Sequence, residues 1–165
     1  MSDALPVSPA GRLAMTLNER FSMVKKLNKI RILVFGTFDG IHKGHLGFFK
    51  QARKLTKNSF LIASVATDKN VKKVKGRLPL RKQAKRILDL KKLNVVDKVV
   101  LGEEVNFLKG IKKLNPSIIA LGYDQKAYTL GLKTKLKHQG LSVKVVRLSA
   151  YKPKIYKSSL INKKV

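Results

Sequence analysis

Two of the three histidines in this chain, His42 and His45, stand three residues apart in the run Val34-Phe35-Gly36-Thr37-Phe38-Asp39-Gly40-Ile41-His42-Lys43-Gly44-His45. Imidazoles at this spacing can donate directed hydrogen bonds to phosphate oxygens or ligate a metal, and the flanking elements decide which. Apolar residues 32–35 predict a buried strand, and residues 46–57 carry Phe48, Phe49, Ala52 and Leu55 at helical spacing. The histidines therefore fall at a helix N-terminus, where free backbone N–H groups and the positive end of the helix dipole attract an anion. Gly36 and Gly44 leave room for a phosphate or base to approach the backbone. Thr37 adds a hydroxyl at the strand's carboxyl end, where open α/β sheets bind ligands. A zinc site is the poorer reading, because the chain has no cysteine and His138 is its only other histidine. The pattern points to a nucleotide-phosphate site.

The elements that must hold this site follow in alternation. Strand-like stretches at 60–66, 98–101, 118–121 and 142–148 are separated by helical patterns at 80–93, 105–114 and 131–138, the last ended by Gly140. Such an order predicts an α/β fold, a Rossmann-like doubly wound parallel sheet of about five strands in a single domain spanning residues 29–165. Residues 1–28 form an N-terminal extension. There Ser8-Pro9-Ala10-Gly11 is turn-like, and Leu13, Leu17, Phe21 and Val24 share one helical stripe, which predicts one additional helix. Met23 directly precedes the first strand and offers a second candidate start of translation.

Composition sets the remaining bounds. A length of 165 residues with 44% hydrophobic content suits one globular domain with a real core. No apolar run approaches the ~20 residues of a membrane helix, and no signal-peptide apolar core stands at the N-terminus. With zero cysteines, these features predict a soluble protein of the cytoplasm with no membrane partner. The formal net charge is +28, and 37 basic residues, mostly lysine, are spread over every segment. That field attracts nucleotides, nucleic acids and pyrophosphate alike. Phe35, Phe48, Phe49 and Phe60 fall on apolar faces instead of forming a stacking platform, which disfavours nucleic acid as a specific partner.

The run Gly36-Thr37-Phe38-Asp39 followed by His42-Lys43-Gly44-His45 resembles the signature of the HxGH nucleotidylyltransferases, the cytidylyltransferase-like superfamily. The segments Asp97 to Gly102, Pro116 to Gln125 and Lys157 to Ile161 are similar in order and spacing to that superfamily's later motifs. The resemblance implies transfer of AMP or CMP from a nucleoside triphosphate, carried with Mg²⁺, to a phosphate-bearing acceptor, with release of pyrophosphate. It implies catalytic roles for His42, His45 and Lys75. For nucleotide binding it implies Gly36, Thr37, Phe38, His42, Lys43, Gly44, His45, Gly122, Asp124, Tyr151, Lys157, Ser158 and Ser159. Asp39 and Lys75 are expected at the acceptor, and no protein metal ligand is expected. A homodimer is a common form of enzymes similar to this one.

One departure stands out. Similar enzymes often carry an arginine early in the helix after the second strand; the nearest match here is Ala84, flanked by Lys82, Lys85 and Arg86, with Arg81 as a substitute. Lys72, Lys75 and Arg77 flank Gly76 in what reads as a basic loop. Within the superfamily the motifs look most like FAD synthase, which implies ATP and FMN as substrates. Glycerol-phosphate-type cytidylyltransferases and phosphopantetheine adenylyltransferases share parts of the pattern. From other classes, a non-catalytic nucleotide sensor and a nucleic-acid-binding module stay open.

Overall fold

Ile32, Leu33 and Val34 are consecutive and all fully buried, which requires a strand covered on both faces. The computed structural model describes residues 16–27, 29–127 and 129–150. In chain order these form α1 (Leu17–Leu27), β1 (Ile30–Gly36), α2 (Lys43–Arg53), β2 (Ser59–Val65), α3 (Asp68–Lys75) and α4 (Gln83–Lys92). There follow β3 (Lys98–Leu101), α5 (Phe107–Leu114), β4 (Ile118–Leu121), α6 (Leu132–His138) and β5 (Lys144–Arg147). The five strands make one parallel sheet in the order β3-β2-β1-β4-β5. This is the doubly wound sheet the alternation predicts. The chain moves outward from β1 to β3, then returns to place β4 on the other side of β1. The direction of winding therefore reverses between β1 and β4, the position where such sheets open a crevice at their carboxyl ends.

Successive residues of β1 point to opposite faces, so its two sets of side chains seed two cores. Ile32 and Val34 pack with Phe49 and Ala52 of α2 and Leu90 of α4 on one face. Leu33 packs with Ile62, Ile119 and Leu121, and with Ile111 of α5 and Leu132 and Leu136 of α6, on the other. Among the described residues no helix is long and apolar enough to cross a membrane.

One element differs in kind from the sequence reading and one in its packing. The basic loop expected after β2 is instead the helix α3: Thr67 caps it by accepting the Asn70 N–H, and Gly76 closes it in the left-handed conformation. Its eight residues carry only Val71 and Val74 as apolar anchors, too few for a periodic signal. The helix expected in the extension is present as α1. Thr16 and Glu19 form its capping box, while Leu17 and Phe21 are exposed rather than packed, and Met23 lies within it. The expected turn at residues 8–11 and Leu13 lie outside the described residues.

Candidate active site

His42 is the N-cap of α2. Its Nδ1 accepts the Gly44 N–H at 3.1 Å, so the neutral ring carries its proton on Nε2. His45, one turn on, stacks against it with ring centroids 3.9 Å apart. Burial drives the His45 pKa down to about 3, with the neighbouring His42 and Lys75 adding to the shift. His42 is lowered for the same reason, burial. Both rings are thus neutral at pH 7. The Nδ1 of His45 is buried and has no hydrogen-bond partner among the described residues, so no described group fixes its tautomer.

The turn that delivers these rings is built from the inside. Phe38 adopts φ 51°, the left-handed region that a bulky residue rarely enters, and its ring is buried against Phe49 and edge-on to His45. A Cβ on Gly36 would lie 2.6 Å from that ring. Gly36 thus makes room on its Cβ side for the Phe38 ring while also lining the cleft, and the Phe38 ring supports His45 from within the core. Asp39 is likewise buried. Its Oδ2 accepts the Leu80 N–H at 2.7 Å and its Oδ1 the Arg81 N–H at 3.0 Å, which ties the turn to the segment entering α4.

Near the usual arginine position, it is Arg86 rather than Ala84 or Arg81 that reaches the turn, from beneath it. Its side chain is fully buried. It donates to the carbonyls of Thr37, Ala66 and Arg81 and to Asp68 Oδ1 at 2.6 Å, joining the ends of β1 and β2 to the starts of α3 and α4. Arg81 instead pairs with Asp89. The missed signal was positional: Arg86 stands four residues before Leu90, on the buried stripe of α4.

A cleft of about 890 Å³ opens at the carboxyl ends of β1 to β4. Gly36, Thr37, Phe38, Gly44 and His45 line it on one side, Lys75 on another, and Gly122 and Asp124 at the reversal point. His42, Lys43 and Asp39 do not line it. Burial lowers the Lys75 pKa, while Asp39 and Asp124 pull it back up. The structure therefore brings His45, Lys75 and Asp124 to one cavity. Tyr151, Lys157, Ser158 and Ser159 lie outside the described residues. Among the described residues no group of three or more His, Cys, Asp or Glu is placed to hold a metal ion. Neutral donors, lysines and a helix N-terminus at a sheet's carboxyl edge are equipment for binding phosphate and stabilising charge that develops on it.

Residues 33–164 match the model of the cytidylyltransferase-like family, and the chain belongs to that family; it is a nucleotidyltransferase. Within it, the chain is 42% identical over 146 residues to the FAD synthase of Thermococcus sibiricus, covering 87% of this chain and 96% of that one. It is 47% identical over 131 residues to the FAD synthase of Pyrococcus horikoshii, covering 78% and 84% respectively. Among solved structures, the lipopolysaccharide core biosynthesis protein of Thermoplasma volcanium superposes with a TM-score of 0.68 at 36% identity, over 74% of this chain and 98% of that one.

Proposed function

We propose that this protein is an FAD synthase that transfers AMP from ATP to FMN. An oxygen of the FMN phosphate attacks the α-phosphorus of ATP in line. The new O–P bond forms as the bond to the β-phosphate oxygen breaks, and pyrophosphate leaves. The observation that carries this reading is identity above 40% to FAD synthases over most of both chains.

The cleft supports the flavin as acceptor. Among charged and polar lining residues such as Lys75, Asn70, Lys98 and Glu103, its wall carries open apolar side chains: Val74 is 47% exposed, Leu101 is 43% exposed, and Phe107 packs its ring 4.7 Å from Phe35. Apolar side chains left open in a polar cleft suit a flat aromatic ring and have no use for glycerol phosphate or phosphoethanolamine.

The chemistry asked of the protein is positioning and charge stabilisation. Neutral His45 donates to the phosphate oxygens as charge builds, its tautomer set by the ligand; His42, which does not line the cleft, takes its donor role from the motif resemblance. Lys75 serves the acceptor phosphate. Asp39 acts at one remove, by holding residues 80 and 81. Asp124 contacts the ribose or base. Lys157, Ser158 and Ser159 take the β- and γ-phosphates and Tyr151 the base, roles that rest on the motif resemblance. Mg²⁺ enters on the triphosphate and neutralises part of its charge. The cytoplasm, where ATP and FMN are at hand, is the fitting compartment.

Pyrophosphate release with FMN, glycerol 3-phosphate, phosphoethanolamine or phosphopantetheine, each with ATP or CTP, tests the reading. Release with FMN and ATP alone is expected. Release with a different pair would overturn the assignment, and nucleotide binding without release from any pair would mark a sensor.

A further inference from the structure

The hydrogen-bonded register between β1 and β4 ends at Val34 and Ala120, although β1 continues its pairing with β2 as far as Gly36. Beyond that point a side chain takes over. The Gln125 amide sits between the two strand ends, its Oε1 accepting the Gly122 N–H at 3.1 Å and its Nε2 donating to the Phe35 carbonyl at 3.2 Å. A primary amide presents acceptor and donor together, as a peptide group would, so it bridges the strands while letting them part. From β5, Arg147 Nη1 donates to the carbonyls of Gly122 at 2.7 Å and Gln125 at 3.0 Å. Residues 122–125 are thereby fixed from both sides at the reversal point of the sheet.

These props hold something that packing does not. Tyr123, Asp124 and Arg147 are exposed, and among the described residues no buried apolar residue lies between Leu121 and Leu132. The bonds set the course of a surface segment at the ligand end of the sheet. We propose that Gln125 and Arg147 are positioning residues for the nucleotide, fixing the 122–125 segment so that Asp124 meets ATP in the crevice between β1 and β4. The inference rests on the assignment of Asp124 to the nucleotide made above.

Calorimetric titration with ATP and Mg²⁺ in the absence of FMN tests it without requiring catalysis. Gln125→Glu keeps the shape and the acceptor but cannot donate to the Phe35 carbonyl, and Arg147→Met keeps the stem but removes the donors. Each is expected to weaken ATP binding about tenfold, the scale of one or two hydrogen bonds. Arg147→Lys is expected to recover part of the loss. At saturating ATP the KM for FMN should stay unchanged. The double variant Asp124→Asn/Gln125→Glu should bind ATP no more weakly than Asp124→Asn alone, because both act through one carboxylate. Wild-type affinity in Gln125→Glu and Arg147→Met, or full additivity in the double variant, would overturn the positioning role alone. Wild-type affinity in Asp124→Asn would overturn the assignment of Asp124 and the positioning role with it. If Gln125→Glu does not fold, the Arg147 pair decides.

Discussion

Two turns leave adjacent strands at the point where the sheet reverses, and they are built in opposite ways. The turn from β1 to α2 is held from below by buried groups: the Phe38 ring under Gly36, the Asp39 carboxylate on two backbone N–H groups, and the Arg86 guanidinium on the Thr37 carbonyl. The turn after β4 is held at the surface by an amide and an exposed guanidinium. The contrast shows a division of labour. On the proposed function, phosphate chemistry falls to a buried support beneath neutral histidines, and nucleotide recognition to a segment set by a few polar contacts.

The deepest break in this contrast comes from Arg86→Met, which takes the fully buried guanidinium from the partly buried Asp68 and from the carbonyls of Thr37, Ala66 and Arg81. Removing one partner of a buried pair costs about 3–5 kcal/mol. Urea unfolding is expected to show a loss of that size, whereas a loss below about 1 kcal/mol would mean that the buried support is dispensable. His45→Ala comes next. Turnover is expected to fall by at least the ~10²-fold typical of losing one preorganised donor, with the KM for ATP changing far less. Turnover at the wild-type level in steady-state assays would remove His45 from the chemistry.

The two turns can then be set directly against each other by the same substitution. A Cβ on Gly36 meets the Phe38 ring at 2.6 Å, whereas one on Gly122 meets nothing closer than 3.8 Å. Gly36→Ala is expected to cost about 1–3 kcal/mol of stability, as overpacking does, and Gly122→Ala well under 1 kcal/mol. Equal losses in chemical denaturation would erase the distinction. The smallest effect is on pH dependence. Burial lowers the pKa of His42 and His45 below the ordinary 6.5, to about 3 for His45, so the unfolded chain takes up protons that the folded chain refuses. This contribution to stability is fully present above pH 6.5 and is lost as the pH falls from there toward 3. His45→Ala should therefore lose less stability than wild type between pH 7 and pH 5; an identical loss would place His45 in water.

Most of the fold, and the place of the two histidines between β1 and α2, were legible in the sequence, and what escaped has a physical reason. The strands were readable because residues such as 32–34 and 118–121 are buried on both faces and so form continuous apolar runs. His42 and His45 were readable because a glycine-punctuated turn between strand and helix restricts what they can do. Helix α3 was not, since it is defined by the Thr67 cap, the Gly76 terminus and one buried valine, Val71, rather than by periodicity. The support beneath the site was hidden for another reason. Phe38 and Asp39 lie within the motif, and motif spacing does not distinguish a residue that touches a ligand from one that carries its neighbour. Arg86, Gln125 and Arg147 act through backbone carbonyls and amides that only the fold brings near, 49 residues apart for Arg86 and Thr37 and 90 for Gln125 and Phe35.

The central claim is that the α-phosphate of ATP is transferred to FMN on the support built by α2. Incubation of the protein with FMN, Mg²⁺ and ATP labelled at the α-phosphate, followed by chromatographic separation, tests it most directly. The label should move into FAD in wild type and not in His45→Ala, with label at the γ-position leaving as pyrophosphate. α-Label that stays in ATP, or appears as free AMP while FMN is unchanged, would contradict the account.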